Sequence, residues 1–230
     1  NQVPSFPGIS RFGQTRSGDH VERIVLRGGG LTAALLSRGV TLQGLWLDGI
    51  DASLTLGLPD IAAYEAATSY LGALVGPVAN RIAGASVRIA GQRFDLPRND
   101  GEATLHSGPR GLHARIWRLA EMSDAEASFT LDLPQGDGGL PGNRRLQARY
   151  SLPGSGILRL EVSAQTDAPT PVSIAQHAYW NLDAGPDWSG HQLQVQADQW
   201  LPVDDQLLPT GEIRPVTGDM DLRQVRPLLP

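Results

Sequence analysis

Apolar and polar residues alternate with period two along several stretches of the chain. Leu146, Ala148, Tyr150 and Leu152 alternate with Gln147, Arg149 and Ser151. After the turn-forming Pro153-Gly154-Ser155-Gly156 the pattern resumes, with Leu158, Leu160 and Val162 against Arg159 and Glu161. Successive side chains of a strand point to opposite faces, so these runs predict a hairpin with one buried and one wet face. Leu193, Val195 and Ala197 against Gln192, Gln194, Gln196 and Asp198 predict a further half-buried strand. Val87 and Ile89, then Phe94 and Leu96, flank Ala90-Gly91-Gln92 and predict a tight hairpin. Helical periodicity is weak. Its best stretch, about Pro59 to Leu71 with Ile61, Tyr64 and Glu65 at suitable spacing, predicts one turn of helix within a loop. Many short strands separated by turn signals predict an all-β sandwich or barrel.

Composition agrees with that reading. Gly (27) and Pro (17) are abundant without a collagen-like period, which implies many turns. Gly28-Gly29-Gly30 lacks the Lys-Ser/Thr of a phosphate-binding loop and reads as a strand turn. The stretch Gln135 to Gly142, with Pro141 and several glycines, reads as a surface loop between strands. No internal repeat or linker divides the 230 residues, so a single β-sandwich domain over 1–230 is expected. The net charge of −5, with dispersed basic residues, argues against a nucleic-acid partner. The absence of Cys removes disulfides, thiolate metal sites and Cys nucleophiles. No apolar run approaches a membrane span, and no charged-then-apolar leader opens the chain, so no membrane partner is expected. The chain begins at Asn1 rather than Met. A cytoplasmic location is the expectation, with a periplasmic one compatible.

Three segments are polar for their apolar surroundings. One runs from Gly72 to Ile82 and carries Asn80-Arg81; one is Asn99-Asp100-Gly101 followed by Thr104-Leu105-His106-Ser107-Gly108; the third is Gln176-His177-Ala178-Tyr179-Trp180-Asn181-Leu182. Sugar chemistry uses such residues. Asn and Arg supply forked donors and acceptors for hydroxyls, Trp or Tyr stacks on the apolar sugar face, and His moves a proton near neutral pH. An Asn-Arg pair is also a common turn with a structural charge, and a His beside aromatics is often structural, so residue types alone leave both readings open. His20, His113 and His191 read as surface or structural. The five His residues show no metal-ligand spacing, no Gly-x-Ser-x-Gly elbow is present, and no pair of carboxylates stands out.

Taken in order, these segments resemble the aldose 1-epimerase family. Tyr70 through Ile82 is similar to its Gly-Arg-x-Ala-Asn-Arg-Ile block. Asn99-Asp100-Gly101 through Leu105-His106-Ser107-Gly108 is similar to Asn-Asn-Gly…Leu-His-Gly-Gly, and Gln176 through Leu182 to Asn-His-Ser-Tyr-Phe-Asn-Leu. Val203-Asp204-Asp205-Gln206-Leu207-Leu208-Pro209-Thr210-Gly211-Glu212 is similar to Val-Asp-x-x-Leu-Ile-Pro-Thr-Gly-Glu. The resemblance implies a large antiparallel β-sandwich of the galactose mutarotase-like type that interconverts the α and β anomers of free aldoses such as glucose or galactose. It implies a monosaccharide substrate, a monomer or homodimer, and no cofactor or metal. It carries the general acid onto His177, a sugar-binding and charge-stabilising role onto His106, and hydroxyl contacts onto Asn80 and Arg81.

Pro77 stands where the family has Arg, and Ser107 where it has Gly. The family's last quarter to third carries a sugar-contacting Asp and the general-base Glu, and this chain stops near Asp221-Leu222-Arg223, before either motif. A C-terminal part is thus expected to be missing and the chain by itself to be inactive, since Glu212 belongs to the Pro-Thr-Gly-Glu turn. The competing expectations are a non-catalytic carbohydrate-binding sandwich and a relative acting on modified or phosphorylated hexoses.

Overall fold

In the computed structural model, residues 2–228 are described. Their secondary structure is almost all strand. They fall into two units, one up to Trp180 and one from Asn181 onward.

The first unit is built on two four-stranded antiparallel sheets. Strands β1 (Gly8–Gln14), β2 (His20–Gly28), β3 (Leu31–Leu36) and β4 (Thr41–Leu47) form one meander. After α1 (Ile61–Ala66) come five short strands: β5 (Leu74–Val75), β6 (Arg81–Ile82), β7 (Ser86–Ile89), β8 (Gln92–Asp95) and β9 (Thr104–Leu105). The second meander follows as β10 (Arg118–Ser123), β11 (Glu126–Leu133), β12 (Arg144–Gly154) and β13 (Ile157–Thr166), and β14 (Ala175–Gln176) returns to pair with β5.

One apolar cluster joins the inner faces of the two sheets. Ile24, Leu26, Ala33 and Leu35 pack with Phe129, Leu146, Ala148 and Tyr150 from the facing sheet. Two sheets, each hydrophobic on at least one face, bury those faces against each other, which is the sandwich expected above. Each large apolar side chain removed from water contributes roughly 1.5–3 kcal/mol.

The alternation in β12 is obeyed: Leu146, Ala148 and Tyr150 are buried, and Arg145, Gln147 and Arg149 are exposed. Its partner β13 pairs in register, with Ala148 opposite Val162 and Tyr150 opposite Leu160. Leu158 and Leu160 are only half buried, and Val162 is 37% exposed, so the inward face is drier on β12 than on β13. The turn between them is Ser155-Gly156, both at positive φ. The other predicted hairpin is β7–β8, with Ile89 opposite Gln92 around Ala90-Gly91, both also at positive φ as a type I′ turn requires.

β3 and β4 escape period-two reading because they are buried on both faces. Trp46, Val25 and Ala34 form a second cluster apart from the main core, so these strands carry nearly continuous apolar runs. The β2–β3 connection is Gly29-Gly30, the turn expected there. A Cβ on Gly29 would come within 2.3 Å of Gly154 Cα, so only Gly lets this turn lie on the β12–β13 turn.

The helix is the short turn foreseen. Asp60 caps it by accepting from Ala63 N at 2.8 Å, and Ile61 and Tyr64 point inward. The Gln135–Gly142 loop does connect β11 to β12, but Leu140 in it is buried. Arg144, fully buried beside it, donates to the carbonyls of Gly142, Pro134 and Asp137.

The second unit has short pairings only: β15 (Gln192–Leu193) with β18 (Arg226–Pro227), and β16 (Gln199–Trp200) with β17 (Arg214–Pro215). The half-buried strand expected from Leu193 to Ala197 is not formed. Only Gln192–Leu193 are strand, and Leu193 and Val195 are 38% and 40% exposed. A period-two pattern buries a face only where something packs on it, and these side chains have no such cover among the described residues. No helix among the described residues is long and apolar enough to cross a membrane.

Candidate active site

The first two polar segments and residues 176–180 of the third converge in the first unit, and backbone pairing does most of the positioning. β6 pairs with β9, placing Arg81 opposite Leu105. The ladder continues one step further, where His106 N donates to Asn80 O at 3.0 Å. Asn80, His106 and Ser107 all sit at positive φ, which turns their side chains out of the ladder direction. Asn99 clamps the start of this segment: its Oδ1 accepts from Leu105 N at 2.8 Å, and its Nδ2 donates to Leu105 O at 3.0 Å.

His177 arrives on a different pair. β14 lies against β5, His177 N donates to Ala73 O, and Gly72 N donates to His177 O, both at 2.9 Å. Gly72 sits at φ +67, and a Cβ there would stand 2.1 Å from Leu42 O, so the close approach that seats this segment demands Gly. Gln176 Nε2 bonds Gly72 O at 3.2 Å.

The side chains then meet. The rings of His106 and His177 lie 5.3 Å apart, centroid to centroid, nearly perpendicular. His177 also contacts Tyr179 at 5.4 Å. Arg81 Nε donates to Asp100 Oδ2 at 2.6 Å and its Nη1 to Asn80 Oδ1 at 3.4 Å. That fixes the guanidinium plane while Asn80 stays exposed. All four residues singled out from the sequence, Asn80, Arg81, His106 and His177, are thus neighbours.

Electrostatics give His106 a defined state. Its Nδ1 accepts the Asn80 backbone N–H at 2.9 Å, so the neutral ring carries its proton on Nε2. Burial, then His177 and Arg81, lower its pKa to about 4, and it is a neutral donor at pH 7.

Of the two departures from the family blocks, the one at Ser107 has a structural explanation. Ser107 Oγ accepts from Val78 N at 2.9 Å and donates to Val78 O at 3.2 Å, tying its loop to the Asn80 segment. Pro77 follows a cis peptide bond and is buried.

The sequence motifs assign no role to Tyr70. Its ring packs edge-on against His106 at 4.7 Å and His113 at 4.8 Å, and lies 5.7 Å from His177. The residue sits at φ +55, which no pattern of neighbours announces. His113, read as surface or structural, packs into this cluster. Its pKa is lowered to about 4 by burial, then by Arg38 and His106. The fourth polar block lies in the second unit, where Asp204 Oδ1 accepts from Gln206 N and Leu208 N, and Glu212 pairs with Arg214.

Two imidazoles, an oriented guanidinium and an amide thus stand together on a β framework, and the chain belongs to the aldose 1-epimerase family. The family model, described as Aldose 1-epimerase, matches residues 22–230. The chain is 34% identical to the galactose mutarotase of Homo sapiens over 220 residues, 93% of this chain and 64% of that protein. It is 32% identical to the aldose 1-epimerase of Escherichia coli (strain K12) over 202 residues, 86% of this chain and 58% of that protein. Among solved structures, a galactose 1-epimerase from Lactobacillus acidophilus matches with a TM-score of 0.85 at 28% identity, covering 96% of this chain and 66% of that one. A GalM/aldose epimerase homologue from C. elegans matches with a TM-score of 0.84 at 34% identity, covering 89% and 65%. The chain therefore spans 58% to 66% of the length of these relatives, and its all-β fold is of the galactose mutarotase type.

Proposed function

We propose that this chain forms the acid and sugar-binding side of an aldose 1-epimerase acting on free aldoses such as glucose or galactose. Anomer interconversion breaks the C1–O5 bond and forms a C1 carbonyl. A base removes the proton of the anomeric hydroxyl while an acid protonates the ring oxygen. Rotation about C1–C2 and reversal of the two transfers close the ring on the other face. Each positioned transfer contributes typically 10²–10⁴-fold, and no redox or metal step is needed.

In this reading His177 is the acid that protonates the ring oxygen. Neutral His106 donates its Nε2–H to a sugar oxygen, and Arg81, held by Asp100, steadies developing negative charge. Asn80 contacts a hydroxyl. Asp100 is committed to Arg81, so the reading assigns the base to a carboxylate from outside the described cluster.

The observation that carries the reading is the convergence of His106 and His177 at 5.3 Å from segments about seventy residues apart, with Asn80 and Arg81 beside them. Polarimetry on freshly dissolved α-D-glucose or α-D-galactose tests it, using the protein that contains this chain. Accelerated equilibration, lost on His177→Gln, is expected; an unchanged rate with the unmutated protein refutes it.

A further inference from the structure

Tyr70 has a second neighbour besides the histidine cluster. It is one wall of a cavity of about 240 Å³ whose lining also includes Arg38, Tyr64, Glu65, Thr68 and His113.

The polar groups around this space are poorly matched to one another. The half-buried Arg38 guanidinium has no ion pair or side-chain hydrogen bond among the described residues; Glu65 and Tyr64 are its electrostatic neighbours. The Glu65 carboxylate accepts only the backbone N–H of Arg16, at 3.1 and 3.2 Å, with the Arg16 side chain 3.9 Å away. His113 lines the space, while its unpaired Nδ1 is buried beside Gly111 and not open to it. The Tyr64 hydroxyl accepts from Leu58 N at 3.1 Å and keeps its own proton to donate. The hydroxyls of Thr68 and Tyr70 make no hydrogen bond among the described residues.

Donors and acceptors without a protein partner are available to a ligand, and those of Arg38, Thr68 and Tyr70 are open to solvent. Here both kinds occur together, and the one cation faces one carboxylate. An anion would meet Glu65, and a cation would meet Arg38. A neutral molecule with several hydroxyls satisfies both, and two tyrosine rings offer it apolar surface. The volume lies below the roughly 300–1,000 Å³ of pockets for drug-sized ligands, which limits the occupant to about one sugar unit.

We propose that this cavity is a second binding site, for a neutral polyol of at most monosaccharide size, held by Arg38 and Glu65 against Tyr70, with His113 in its wall. It stands independently of the epimerase reading. Because Tyr70 also contacts His106 and His177, an occupant of the cavity abuts the ring that flanks the first site.

Side-chain NMR of the histidines tests it, with His113 reporting on the cavity and His106 and His177 on the first site. Erythritol, D-glucose and inorganic phosphate are titrated separately into the protein and its Arg38→Gln variant. Saturable movement of His113 by erythritol or glucose is expected, with the midpoint raised about tenfold or more in Arg38→Gln. In that variant the midpoint for His106 and His177 should be unchanged. No saturable His113 movement in the unmutated protein overturns the proposal, and so does saturation by phosphate at lower concentration than by either polyol. If Arg38→Gln does not fold, the titrations of the unmutated protein decide. Movement of His113 without His106 and His177 keeps this site and removes support from the epimerase reading; the reverse does the opposite.

Discussion

His106 and Asn80 hold each other twice: the backbone N–H of Asn80 donates to His106 Nδ1 at 2.9 Å, and the backbone N–H of His106 donates to Asn80 O at 3.0 Å. The first bond leaves Nε2 as the only ring nitrogen able to carry a proton in the neutral imidazole, and the second fixes where it is presented. His106 is built to donate a hydrogen bond rather than to exchange a proton.

Replacing that donor should cost catalysis more than folding. His106→Gln in the protein containing this chain is expected to lower kcat by about 10²–10³, the usual effect of deleting one oriented donor to a developing oxyanion. Polarimetric rates beside a circular dichroism melt check this. A fall in rate of less than about threefold with the fold intact would remove His106 from the mechanism.

Acid should destabilise the fold before its carboxylates titrate. His106 and His113 have folded pKa values near 4, below the roughly 6.5 of an unfolded His. Between those values the unfolded chain binds more protons than the folded one, so stability is lost as pH falls through that window. The slope is about 1.4 kcal/mol per pH unit for each group. The depressed carboxylates of Asp167 and Asp221 add to the loss only lower, below about pH 4. Urea midpoints at pH 7, 6 and 5 measure the slope, and the double substitution His106→Gln with His113→Gln should flatten it.

Asp100 orients Arg81 from a partly exposed position, with side chains 39% and 18% accessible. A pair so exposed contributes under about 1 kcal/mol to stability. Asp100→Asn should therefore leave Tm nearly unchanged and weaken sugar affinity severalfold, because the guanidinium loses its charged anchor. Titration calorimetry and a thermal melt separate the two. A large drop in Tm with unaltered affinity would make the pair structural instead.

Gly29→Ala tests the contact between the two hairpin turns. The new Cβ would sit 2.3 Å from Gly154 Cα at φ +59, so the turns must part. Gly91→Ala is the control, also at positive φ but with open space around it. The control should lose about 1–2 kcal/mol from strain alone, and Gly29→Ala clearly more, each kcal/mol lowering Tm by about 2–4 °C. Equal losses would show that the turns separate freely.

Legibility from sequence followed burial. β12 was readable because one face is wet, and β7–β8 because Ala90-Gly91 matches a type I′ turn. β3 and β4, dry on both faces, gave no alternation, and the Leu193–Ala197 alternation marked a strand that the fold does not build. Asn80, Arg81, His106 and His177 were visible as polar residues in apolar runs and through family resemblance. Tyr70 and His113 were not, because their importance lies in ring contacts between segments distant along the chain.

By itself, the sequence determined the all-β character and the principal hairpins, through local periodicity and turn chemistry, and, through the resemblance of its ordered motif blocks, the family and the four polar residues that the resemblance points to. Only the tertiary structure decided that those four stand together, that His106 is neutral with its proton on Nε2, and that Tyr70 flanks both histidines. Those properties arise from strand pairings and desolvation that join residues far apart along the chain, and no local pattern encodes them.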